Sequence, residues 1–192
     1  MIAKTNSNGY EMAHAVKQEQ PISSIAFDGL IAALISWLVG GLYLDGWAHH
    51  HVALDSFFTP WHAVFYSGFL AVASVLVVTF VRNRMSGYSW QKAMQRGYGL
   101  SLLGVLIFAL GGVGDGIWHT LFGIEVNVDA LLSPTHLLLA LGIALIVGGP
   151  LRAAWRRPGS ETIHSWASQL PMLLSLTLTL SLFTFFTLFA HP

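Results

Sequence analysis

The stretch LDSFFTPWH (54–62) returns later in the chain as VDALLSPTH (128–136). Both follow one order: an apolar residue, Asp, a small residue, two apolar residues, a hydroxyl residue, Pro, any residue and His. Each stands directly before a long apolar run. Thr59-Pro60 and Ser133-Pro134 mark a helix start. The hydroxyl suits the N-cap, proline suits the first helical position, and His62 and His136 then fall at the third. Working outward, each phrase closes the turn of a helical hairpin.

The runs around these turns are near 25–48, 60–81, 98–122, 134–151 and 169–190. Each is close to the roughly 20 apolar residues that a helix needs to cross a bilayer. Apolar residues make up 54% of the 192 and charged residues 9%, with a mean hydropathy of +0.62. A soluble domain carries about 25% charged residues. The sequence therefore reads as an all-α integral membrane protein with five transmembrane helices. A polar leader covers 1–24, and a single transmembrane domain covers 25–192. Within it, repeat one (25–81) and repeat two (98–151) are tandem hairpins forming a pseudo-twofold bundle, and a fifth helix follows at 169–190. The first run follows a polar leader and lacks a small-x-small exit, so it is not read as a cleavable signal peptide. LSLTLTLSL (174–182) alternates like a strand. The bilayer's demand for internal backbone bonding makes it a helix, with hydroxyls turned onto the preceding turn.

Every Lys and Arg falls in one of three places: Lys4 and Lys17 in the leader, Arg82, Arg84, Lys92 and Arg96 after the second run, and Arg152, Arg156 and Arg157 after the fourth. The connections 49–59 and 123–133 have none. The positive-inside rule then puts the leader and both basic loops in the cytoplasm. It puts the two repeated phrases on the outer face, the periplasmic side of a bacterial inner membrane. With no cysteine, disulfides, zinc–cysteine sites, iron–sulfur clusters and thiol catalysis are excluded. A net charge of zero argues against nucleic acid as a partner.

The repeat extends beyond the turn phrase. Repeat one reads Asp45-x3-His49-x12-His62, and repeat two reads Asp115-x3-His119-x16-His136. Asp and His at i and i+4 share one helix face, here at the outer ends of the first and third helices. His62 and His136 open the returning helices, where the positive end of the helix dipole favours the neutral imidazole that ligates metals. Each hairpin is thus expected to close an Asp-His-His metal triad. Ionisable groups inside a membrane are functional by default, and six at matching places in two repeats strengthen that reading. The competing reading is two Asp-His pairs that staple the hairpins by hydrogen bonds.

Asp55 and Asp129, matched across the repeats, are candidates to orient a histidine from behind, or to cap a loop turn. His191, at the outer end of the fifth helix, is a third candidate neighbour of the cluster. His50 and His51 have no counterparts in repeat two and read as outer-loop residues. Asp28 lies near the inner end of the first helix, within reach of headgroups. Trp47, Trp61, Trp118 and Tyr43 fit an aromatic belt at the outer interface. Gly40-Gly41, Gly111-Gly112 and Gly148-Gly149 point to close helix packing and make self-association plausible.

Asp45-x3-His49-x12-His62 on a transmembrane helix pair resembles the copper-binding triad in the C subunit of the particulate methane and ammonia monooxygenases, the copper membrane monooxygenase family. That subunit carries a second triad downstream, to which Asp115, His119 and His136 correspond. The likeness covers about 45–140, through spacing and topology more than running sequence. The chain departs from the family in its shorter length, in a longer gap within the second triad, and in Asp115, where the family has Asn. The resemblance implies copper and oxidation of a small substrate by dioxygen, with other membrane subunits and an external electron donor as partners.

Two imidazoles and a carboxylate also suit zinc and non-haem iron. Three further functions therefore stand beside a monooxygenase-like one: a metal storage, delivery or transport subunit without catalysis, a zinc-dependent membrane hydrolase with Asp55 or Asp129 as general base, and haem ligation by paired His. The last gives the Asp residues no role.

Overall fold

The computed structural model describes residues 19–52, 58–123, 132–159 and 165–189. All regular structure among them is helical: α1 (Ile25–His51), α2 (Pro60–Met85), α3 (Gly99–Phe122), α4 (Pro134–Val147), α5 (Gly149–Trp155) and α6 (Trp166–Phe189). Five segments are long and apolar enough to cross a bilayer, with α4 and α5 together making the fourth, Pro134–Trp155. Lipid offers no partner for a bare N–H or C=O, which is why the backbone of each run bonds within itself.

The helix starts are set by local chemistry. The side chain of Ser24 accepts from the N–H of Phe27 at the head of α1, and Thr59 and Ser133 cap α2 and α4 with proline next in line. The alternating segment 174–182 is helical within α6, and Thr179 donates its hydroxyl to the Ser175 carbonyl one turn back, at 2.8 Å. The fourth span breaks at Gly148, just before Pro150, which has no N–H to give. Side chains from neighbouring helices satisfy the carbonyls left at the break. Ser101 of α3 donates to Ile146 at 3.2 Å, and Ser175 of α6 donates to Val147 at 2.6 Å.

The closest packing is within the hairpins, α1 on α2 and α3 on α4, while α6 lies along α1. Close approach is possible because glycines stand at the crossings. A Cβ on Gly68 would come 2.8 Å from the Leu38 Cα, and one on Gly142 would come 2.8 Å from the Phe108 N. The buried core joins the two hairpins through Ile35, Leu38, Phe65, Phe69, Phe108 and Ile143. Phe69 and Phe108 stack across the seam with centroids 4.1 Å apart.

One end of the bundle carries the Asp-His-His residues and the other carries every described Arg and Lys. Asp28, at the basic end, is buried within the protein, 2% exposed. Tyr98 donates to its Oδ1 at 2.7 Å, and Arg157 donates to its Oδ2 and pairs with it.

Candidate metal centre

The i,i+4 spacing on α1 and α3 sets a carboxylate and an imidazole on one face, and the capped return helix brings the third group to them. In the first triad the Nε2 of His49 lies 3.8 Å from the Asp45 Oδ2, and the Nδ1 of His62 lies 3.4 Å from the Asp45 Oδ1. In the second, the Nε2 atoms of His119 and His136 are both 3.6 Å from the Asp115 Oδ1. The two histidine rings of each triad meet edge to face, with centroids 5.5 and 5.7 Å apart and planes at 77° and 74°. The hairpins have built the same corner twice. In each, three ligand atoms lie within 4.8 Å of one another. Asp45, His62 and Asp115 are buried.

These separations discriminate between a staple and a shared ion. A charge-assisted hydrogen bond draws N and O to about 2.7–2.9 Å. Two ligands on one tetrahedral ion, with bonds of about 2.0–2.2 Å, stand roughly 3.3–3.6 Å apart. The 3.6–3.8 Å from the Nε2 atoms of His49, His119 and His136 is close to the second geometry. Two further observations point the same way. The Asp45 Oδ1 is buried and accepts no hydrogen bond among the described residues, a condition that is costly for a carboxylate unless a cation meets it. The Nδ1 of His119 lies 3.2 Å from the Gly123 carbonyl. A carbonyl only accepts, so that nitrogen donates to it, and Nε2 is the ring atom left facing Asp115. The donor set and its spacing fit a metal ion.

The hydroxyls of Thr59 and Ser133 do more than cap. Each accepts from the backbone N–H of its histidine at 3.3 Å and also hydrogen-bonds that residue's Nδ1, at 2.8 Å in His62 and 2.7 Å in His136. The cap and the ring orientation are therefore one device. The triads differ in two respects. His62 faces its carboxylate through Nδ1 and His136 through Nε2. Thr135 donates to the Asp115 Oδ1 at 3.1 Å, whereas the matching position in repeat one is Trp61 and the Asp45 Oδ1 has no such donor among the described residues. The two triads are neighbours across the seam, since Tyr66, beside His62, reaches Gly112, one turn from Asp115.

All six residues expected as ligands are thus brought together three by three. Asp55, Asp129 and His191 lie outside the described residues. His51 is turned away: its Nδ1 bonds the Trp47 carbonyl at 2.8 Å and its ring stacks on that indole. Tyr43 donates to the Ser181 carbonyl of α6 at 2.8 Å. Thr135 and Tyr66 were not evident as site residues. Tyr66 stands four residues after His62 on the same face, and that spacing was the available signal. Compared with known proteins, the chain matches no family model, no curated protein and no solved structure.

Proposed function

We propose that this protein is a copper-binding integral membrane protein of the copper membrane monooxygenase type. Asp45, His49 and His62 would hold one ion, and Asp115, His119 and His136 another. The observation that carries the reading is the pair of triads whose ligand atoms lie within 4.8 Å of one another, with Nε2···O separations of 3.6–3.8 Å that suit ligands of a common ion better than hydrogen-bonded partners. Copper is favoured over zinc and non-haem iron by the absence of thiolates, by the resemblance of the first triad, and by the side of the membrane. With all described Arg and Lys at the opposite end of the bundle, the positive-inside rule assigns the triads to the periplasmic face.

A bound copper ion supplies a one-electron redox couple and positions for small ligands. The chain's own residues hold the imidazoles in place through Thr59, Ser133 and Gly123 and would balance the ion's charge with one carboxylate per triad. Oxidation of a small apolar substrate entering from the lipid is the activity this arrangement supports, with electrons from an external donor and other membrane subunits as partners.

Elemental analysis of full-length protein purified without chelator tests the reading. The expected result is up to two copper ions per chain, one for each triad, reduced by half in His62→Ala and in His136→Ala. Zinc at that stoichiometry would move the protein to the hydrolase class. Protein that takes up no metal would leave the triads as hydrogen-bonded staples. Oxygen-dependent turnover of the loaded protein then separates an enzyme from a carrier.

A further inference from the structure

One polar group belongs to neither triad yet lies beside both. Tyr66 is one helical turn inward from His62 on α2, its ring nearly parallel to that imidazole at 15°, with centroids 6.3 Å apart. Its hydroxyl reaches across the seam between the hairpins to α3. A Cβ built on Gly112 would lie 3.1 Å from the Tyr66 Cε1 and 3.4 Å from its Oη, and Gly112 is one turn inward from Asp115. The Tyr66 oxygen is buried. Around it the walls are aromatic, with Phe65 at 5.2 Å and Phe108 at 5.8 Å between ring centroids. The phenol therefore places a polar group between the two triads among aromatic side chains.

We propose that the Tyr66 hydroxyl is the hydrogen-bond donor that holds a small anionic ligand at the open coordination position of an ion bound in the triads. The proposal rests on the metal reading above and adds a ligand class and a residue to it. Three protein ligands leave a fourth position open on the ion. A small anion there would be paired with the metal on one side and with a phenolic O–H on the other. A charge-assisted bond of that kind is strong where water is excluded. Glycine at position 112 leaves the room that the hydroxyl occupies.

Full-length protein in detergent, loaded with Cu(II), is titrated with azide while the azide-to-copper charge-transfer absorption is followed. Tyr66→Phe keeps the ring and removes the donor. It is expected to retain the copper content of the unmodified protein and to weaken azide binding by about tenfold or more. Gly112→Ala, which displaces the hydroxyl without deleting it, is expected to fall between the two. Unchanged azide affinity in Tyr66→Phe with copper content intact would overturn the proposal and leave the metal reading standing. Loss of copper in Tyr66→Phe would overturn it too, by making the phenol part of the ion's own support. Unmodified protein that binds no copper would fail the metal reading itself.

Discussion

Thr59 and Ser133 use one oxygen to start a helix and to fix an imidazole, so a single substitution tests both roles. Ser133→Ala removes the N-cap of α4 and the partner of the His136 Nδ1 together. Loss of a cap costs about 1 kcal/mol, and loss of a group orienting a metal-bound histidine typically weakens binding by about 10–100-fold. Copper affinity at the second triad should fall by that order while the first triad keeps its own, as read by competition with a chelator in a His62→Ala or His136→Ala background. Ser133→Thr should behave as the unmodified protein, because repeat one already uses threonine. Thr135→Val separates the effects: it leaves the cap in place but removes the donor to Asp115. Copper binding at the second triad should weaken with little change in thermal midpoint. The ligands themselves were legible because the repeat writes them twice. Thr135 was not, because its counterpart is Trp61 and a search for matched residues passes over it. Tyr66 escaped because its partner on α3 is met only once the hairpins are docked.

At the scale of elements, two adjacent glycines offer a controlled comparison. Gly40 and Gly41 both read as packing positions, yet a Cβ on Gly40 meets nothing within 4 Å while one on Gly41 would come 2.7 Å from the Phe65 Cα. Gly41→Ala must push α1 away from α2 in the hairpin that carries the first triad. Overpacking of this kind costs about 1–3 kcal/mol, and copper bound by the first triad should decline with it. Gly40→Ala, facing outward, should leave both thermal midpoint and copper content unchanged. Equal behaviour of the two variants in a melting experiment would show that the crossing is looser than the contact distances indicate. Which glycine of a pair touches its neighbour depends on helix rotation, and the dipeptide alone does not carry that. The spans were legible from hydropathy and the caps because each is a local property. The break at Gly148 was less so: Gly148-Gly149 signals close packing and a chain break alike, and only Ser101 and Ser175, reaching in from other helices, show which role it plays.

Among the described residues the molecule is polarised, with both Asp-His-His triads at one end and a buried ion pair closing the other. Asp28, near the inner end of the first helix, is buried because Arg157, from the segment after α5, folds back over the start of α1 and Tyr98 reaches it from the head of α3. The ion pair thereby ties the first helix to the end of the second hairpin, a closure that neither hairpin contains by itself. Removing one partner of a buried pair strands the other charge and costs about 3–5 kcal/mol, whereas replacing both by apolar residues of similar volume is often close to neutral. Asp28→Leu and Arg157→Met should therefore each lower the thermal midpoint sharply, and the double variant should recover most of the loss. Copper content measured well below the midpoint should be unaffected in all three, since the triads lie at the far end of the bundle. If the double variant were as unstable as the singles, Asp28 would be held by Tyr98 more than by Arg157. If any of them lost copper while still folded, the two ends would be mechanically coupled through α1, whose opposite termini carry Asp28 and the Asp45-His49 pair.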